Sequence, residues 1–158
     1  MQDTQTFLSV AETLARRAGD LCLEIQQDLG EIHYKSKKDV VTRADIASEK
    51  LIVEGIRKAF PTHSLRTEEA GVIEGTDPRY LWIIDPVDGT VNFSRGIPLW
   101  GISIALHFEG KPLVAAVNLP KLGELYTASK GGGAFMNGKA IHVSRESDSV
   151  HAIVSNGD

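Results

Sequence analysis

An α+β fold, with helices packed on a largely antiparallel sheet, is what this 158-residue sequence predicts, and three observations predict it. Two amphipathic stretches, each with apolar residues at helical spacing, lie ahead of Pro61. From Gly101 onward the pattern changes to short apolar segments separated by turn residues. Asn137-Gly138 sits between two such segments and is the strongest hairpin signal in the chain.

Each element follows from its own residues. Phe7, Ala11, Leu14, Ala18, Leu21 and Ile25 recur at alternating spacings of four and three, which predicts a helix from Thr4 to about Asp28, ended by Gly30. Glu31 to Lys35 reads as extended, Lys35-Ser36-Lys37-Lys38-Asp39 as a basic loop, and Val40-Val41-Thr42 as the segment it feeds. A second helix runs from about Ala44 to Phe60, with Ala47, Leu51, Ile52, Ile56, Ala59 and Phe60 facing inward and Pro61 stopping it. Ser64-Leu65-Arg66 is a short extended run, and Leu81 to Ile84 an interior strand. A meander continues through Ile102–Phe108, Leu113–Asn118 and Glu124–Ala128, with turns at Glu109-Gly110 and Pro120–Gly123. Gly131-Gly132-Gly133 is brief and flanked by strands, so it predicts a tight bend inside one domain. The hairpin joins Ala134–Met136 to Ala140–Val143, and Ile153-Val154 reads as a last strand.

Composition excludes several classes. A net charge of −4 and a pI near 5.7 give no basic face for nucleic acid. The N-terminus lacks a basic, apolar leader, and no apolar run is long enough to span a bilayer, so a cytoplasmic location without membrane contact is expected. Cys22, the single cysteine, falls on the apolar stripe of the first helix and predicts a buried thiol. The histidines at 33, 63, 107, 142 and 151 lack the paired spacing of a zinc site, and there is no GxxxxGK[ST] or GxGxxG phosphate loop.

The chemistry concentrates in Leu81-Trp82-Ile83-Ile84-Asp85-Pro86-Val87-Asp88-Gly89-Thr90-Val91-Asn92-Phe93. An apolar strand delivers Asp85 to its end, Pro86 limits how the next turn wanders, and Asp85, Asp88 and the Val87 carbonyl offer three hard oxygens. Gly89 lets the backbone N–H groups of Gly89 and Thr90 approach an anion closely, at the start of a short helix. D-P-x-D-G-T is also an ordinary turn sequence. A site is favoured by a second acidic pair, Glu68-Glu69, at the end of another extended run, because four carboxylates near strand ends repel one another unless cations intervene.

These residues resemble the inositol monophosphatase family of magnesium-dependent, lithium-sensitive phosphatases. W-I-I-D-P-V-D-G-T-V-N-F is similar to its principal metal-binding motif, and Thr67-Glu68-Glu69 to its G-E-E element with Thr in place of Gly. Asp39-Val40-Val41-Thr42-Arg43-Ala44-Asp45 is similar to its D-x-V-T-x-x-D segment, and Gly131–Gly138 to its G-x-G-A-F-x-N-G hairpin. The resemblance implies the N-terminal part of the αβαβα sugar-phosphatase fold. The family's W-D-x-A-A-G motif is missing, so residues 1–158 are expected to form a single N-terminal domain without the C-terminal one, with activity of this short chain in question.

By the same resemblance, Glu68, Asp85 and the Val87 carbonyl would hold one Mg²⁺, and Asp85, as a bridge, would share a second with Asp88. Asp45 and Thr90 would form the catalytic pair that orients and helps deprotonate an attacking water. Asp88, Gly89 and Thr90 would contact the substrate phosphate, and Glu69 would stay outside the ligand set. Asp45 has an ordinary reading too, as an acid in the first turn of a helix. The implied function is hydrolysis of a small phosphate monoester, foremost inositol monophosphate, by a full-length homodimer. The alternatives are a histidinol-phosphate or fructose bisphosphate phosphatase, or a non-catalytic binding or regulatory fragment.

Overall fold

The computed structural model describes residues 4–30, 33–34, 40–148 and 150 of the chain. Three α-helices, α1 (Thr4–Gln26), α2 (Arg43–Ala59) and α3 (Thr90–Ser94), and a 3-10 turn at Pro120–Leu122 accompany ten strands among the described residues. Strands β1 (His33–Tyr34) and β2 (Val40–Val41) form a small antiparallel ladder of their own. The remaining strands are β3 (His63–Thr67), β4 (Val72–Ile73), β5 (Asp77–Asp88), β6 (Gly101–Phe108), β7 (Lys111–Leu119), β8 (Glu124–Ser129), β9 (Gly133–Met136) and β10 (Lys139–Ile141). They make one sheet in the order β10-β9-β8-β7-β6-β5-β3-β4. Every neighbouring pair is antiparallel except β3 and β5, so the largely antiparallel expectation holds.

The meander follows its turn chemistry. Glu109 and Gly110, and again Asn137 and Gly138, occupy positive φ, as two-residue hairpins require to match strand twist. The three glycines form the bend between β8 and β9, where Ser129 pairs with Gly133. Three elements differ from expectation. β4 is new, because its two residues are too few to carry a period of their own and form only by pairing with Leu65 and Arg66. β10 ends at Ile141, short of Val143, which is exposed. β5 continues past Ile84 to Asp88, a point that matters for the site. The expected basic loop at Lys35–Asp39 and last strand at Ile153-Val154 lie outside the described residues.

Both long helices pack on one face of the sheet. Alternate residues of the strands, among them Leu65, Trp82, Ile84, Ile102, Ile104, Leu106, Val114, Ala116 and Leu125, are buried with Phe7, Ala11, Leu14, Ala18, Ile52 and Ile56 of the helices. The period of two in the strands and of 3.6 in the helices meet in this layer. Phe7, Phe60, His63, Tyr80 and Trp82 form an aromatic group at the start of β5, with Trp82 Nε1 donating to His63 Nδ1 at 3.1 Å. Cys22 is fully buried, and burial pushes its thiol up to about 12, so the thiolate is suppressed.

Helix α1 approaches the sheet closely because Gly19 has no side chain. A Cβ there would overlap the Asn118 amide and the Pro120 ring. Asn118 uses that proximity to donate from Nδ2 to the Ala15 carbonyl at 3.0 Å, a buried bond between β7 and α1. Gly19→Ala is therefore expected to destabilise the chain by about 1–3 kcal/mol in denaturant unfolding, although alanine favours helix. Cys22 is expected to resist a thiol reagent until the chain unfolds, so labelling should track the denaturation curve.

Candidate metal and phosphate site

The site begins at the N-terminus of α2. Thr42 is its N-cap in extended conformation, its hydroxyl accepting from Ala44 N–H at 3.1 Å. The Thr42 N–H and hydroxyl each lie 2.7 Å from Asp45 Oδ2 and donate to it, completing a capping box. The other oxygen, Asp45 Oδ1, is 3.0 Å from the Thr90 hydroxyl, which also lies 2.9 Å from the Val87 carbonyl. Asp45 thus serves the helix with one oxygen and contacts Thr90 with the other, so its two sequence readings coexist. The residue is 1% exposed. Burial pushes its pKa up, and the hydrogen bonds from Thr42 and Thr90 act against that shift.

The acidic cluster comes from two adjacent strands. Because β3 and β5 run parallel with Thr67 opposite Ile84, the chains leave this pairing together, Glu68 on one and Asp85 on the other. Asp85 and Asp88 belong to β5 itself rather than to a turn beyond it. They pair with Ser103 and Gly101 of β6, and the register shifts between them. Pro86 occupies this irregular segment, where β3 has already ended and a missing N–H costs no ladder bond. At Gly89, φ is +87° as the chain turns from β5 into α3, and a Cβ would lie 3.0 Å from the Leu99 carbonyl.

The electrostatics of Asp85 are unusual. Oδ1 is buried without a hydrogen-bond partner. Burial raises the carboxyl's pKa and the charge of Asp88 raises it further. Hydrogen bonds from the Val87 backbone and with the Glu68 side chain pull the other way, and Asp45 adds a further push upward. Two carboxyl groups in contact need a shared proton or a cation between them. The donor set fits magnesium on that ground: Glu68, Asp85 and Asp88 are hard oxygen donors, and the Val87 carbonyl has a second lone pair beyond the one facing Thr90. Among the described residues no three His, Cys, Asp or Glu side chains converge into a ready metal cage. That is compatible with an ion that keeps several of its waters.

Two residues of α2 escaped the sequence reading. Ser48 Oγ donates to the Pro86 carbonyl at 2.8 Å, and Glu49 accepts the N–H groups of Glu69 and Ala70 at 2.9 and 3.0 Å. Both are buried, whereas Ala59, expected inward, is exposed. The signal was present as a stripe: Asp45, Ser48, Glu49, Ile52 and Ile56 share the buried face at helical spacing, polar toward the site and apolar away from it. Thr67 explains its own departure from Gly, since its hydroxyl accepts from Ala70 N–H at 3.1 Å and closes the Glu68 loop locally.

A sheet with helices on one face, whose strand ends collect carboxylates beside a capped Asp–Thr pair, defines an α+β protein with an acidic strand-end site. The model of the Inositol monophosphatase family matches residues 3–157, and the chain belongs to that family. It is 40% identical over 153 residues to Nus factor SuhB of Escherichia coli K12, covering 96% of this chain and 57% of that protein. The chain thus spans little more than half the length of the curated relatives it matches. Its fold is similar to the extragenic suppressor protein suhB of Bartonella henselae, with a TM-score of 0.86 and 34% identity over 89% of this chain and 55% of that one. For an inositol monophosphatase of Anabaena the TM-score is 0.79 at 38% identity, covering 91% and 52%. Related structures include a staphylococcal inositol monophosphatase in a lithium-soaked inhibitory complex and an IMPase/NADP phosphatase complexed with Mg²⁺ and phosphate.

The crowding at Asp85 has a measurable consequence. A carboxyl whose pKa is raised on folding holds its proton more tightly folded than unfolded, so its contribution to stability falls as pH rises from the ordinary carboxylate range through the raised value. In chelator, Asp85→Asn is expected to raise the melting temperature above wild type, with the difference growing as pH rises above the ordinary carboxylate range. A constant or negative difference would show that Asp85 is not strained by its neighbours.

Proposed function

We propose that this chain carries the metal-binding and phosphate-binding part of a magnesium-dependent phosphate-monoester hydrolase, with inositol 1-phosphate as the foremost substrate. The observation that carries this reading is the buried, unpartnered Oδ1 of Asp85 beside Glu68 and Asp88. Its chemistry calls for a cation. Family membership and the relative that holds Mg²⁺ and phosphate support the same reading.

In this reading Glu68, Asp85 and the Val87 carbonyl would hold one Mg²⁺, and Asp85 would contribute with Asp88 to a second. Magnesium, when bound, supplies neutralisation of phosphoryl oxygens and acidity for an attacking water. The single Thr90 hydroxyl hydrogen is shared between Asp45 Oδ1 and the Val87 carbonyl, so the lone pairs of Oγ1 are free to accept from a water. A water donating to Thr90 is thereby oriented, and Asp45 is the group that takes up proton density from the pair. Gly89 and Thr90 offer their backbone N–H groups to the phosphate at the turn into α3. Gly89 makes this turn possible, since its φ of +87° is open to a residue without a side chain and a Cβ would crowd the Leu99 carbonyl.

Two measurements test the proposal. In calorimetric Mg²⁺ titration, Asp85→Asn is expected to lose more affinity than Asp88→Asn, since only Asp85 bridges. Equal losses, or none, would remove the bridging role. In phosphate release by the protein, inositol 1-phosphate is expected to be hydrolysed faster than fructose bisphosphate or histidinol phosphate, with Asp85→Asn inactive and Thr90→Val slower by about 100-fold or more. A different order among substrates would reassign the specificity. Tight Mg²⁺ binding without hydrolysis of any of them would support a binding role instead, the reading that the Nus factor name of its relatives brings to this chain.

A further inference from the structure

Glu49 is a buried acid close to the cluster that the proposed reaction does not use. It lies one position beyond Ser48 on the inward stripe of α2 and is 7% exposed. Both oxygens of its carboxylate are engaged, Oε2 by the N–H of Glu69 at 2.9 Å and Oε1 by the N–H of Ala70 at 3.0 Å. These two amides directly follow Glu68. The loop that carries them is closed on its own side by Thr67, whose N–H donates to the Gly71 carbonyl at 2.8 Å and whose hydroxyl accepts from Ala70. Thr67 therefore shapes the loop, while Glu49 fixes where the loop stands relative to α2.

We propose that Glu49 is a positioning residue, whose carboxylate clamps the backbone after Glu68 and so sets the reach of the Glu68 side chain toward Asp85. The proposal rests on the metal reading given above. A carboxylate suits this place. Two backbone N–H groups point at it, one toward each oxygen, and a carboxylate receives both without presenting a donor of its own. Glutamine would accept one N–H and set its own amide hydrogens against the other. Aspartate has the right charge but is one methylene too short to span from the helix. A negative charge held this way is spent on the backbone amides rather than offered to a cation, which separates Glu49 from the ligand set although it lies close behind it. Partners of this kind orient the groups that bind a metal, and their loss costs about 10–100-fold in metal affinity.

The test uses ¹⁵N-labelled chain as wild type, Glu49→Gln, Glu49→Asp and Glu54→Gln. The last removes an exposed acid from the same helix and serves as control. Amide hydrogen exchange of Glu69 and Ala70 is followed, and Mg²⁺ alone is titrated. For Glu49→Gln and Glu49→Asp, exchange at Glu69 and Ala70 is expected to accelerate while β5 and β6 keep their protection, and Mg²⁺ affinity to fall about 10-fold or more. Glu54→Gln should change neither. Unchanged exchange at the two amides overturns the clamp. Accelerated exchange with wild-type Mg²⁺ affinity overturns its positioning role. Failure of the wild-type chain itself to bind Mg²⁺ overturns the metal reading and this proposal together, whereas wild-type binding with an unaffected variant overturns this proposal alone.

Discussion

The carboxylate of Asp45 closes two structures at once, and the rest of the site depends on that double use. Through Oδ2 it completes the capping box that starts α2, accepting the N–H of the N-cap Thr42. Through Oδ1 it reaches Thr90, at the start of α3, across the end of β5. One buried group thereby ties the beginning of a helix to the end of a strand that lies far from it in sequence. Displacing it would leave the Thr42 N–H without its acceptor, breaking the reciprocal half of the capping box, and the Thr90 hydroxyl aimed only at Val87.

The same helix repeats the device along its buried face. Asp45 holds Thr90, Ser48 holds the Pro86 carbonyl, and Glu49 holds the backbone after Glu68. Each contact reaches a different segment of the site, and all arise from adjacent turns of one rigid element. Deeper in the protein the stripe becomes Ile52 and Ile56, which anchor α2 in the core. Burial of those side chains thus fixes the position of the polar ones, and the polar ones fix the strand ends. Sites supported in this way are held more narrowly than sites carried on loops.

The strand ends, for their part, carry a conflict. Burial, Asp88 and Asp45 push the carboxyl of Asp85 toward its protonated form, while a hydrogen bond with Glu68 pulls the other way. Parallel pairing of β3 and β5 brings Glu68 and Asp85 out at the same level, since the last pair places Thr67 opposite Ile84, and Glu49 then holds the backbone that follows Glu68. A chain selected for stability alone would not gather these charges. Here the packing of an apolar sheet pushes acids together, and a divalent cation is the natural way to relieve them.

Much of this was legible in the residues. Helical spacing located α1 and α2, turn residues located the meander, and Asn137-Gly138 set its last hairpin, because these elements are determined by contacts between residues close in sequence. The run from Leu81 to Phe93 announced the acidic strand end for the same reason. Spacing could not reveal features that depend on distant pairing. Strand β4 exists only against β3, and β5 extends to Asp88 because β6 pairs with it there. Ser48 and Glu49 read as the polar part of an ordinary helix until the fold set Pro86, Glu69 and Ala70 before them. The sequence by itself determined which residues form helices and strands and which acids lie at strand ends, since those are local properties of spacing and side-chain chemistry. Only the tertiary structure decided which of those acids meet and which are taken up by backbone amides, because that is settled by register and packing between segments far apart in the chain.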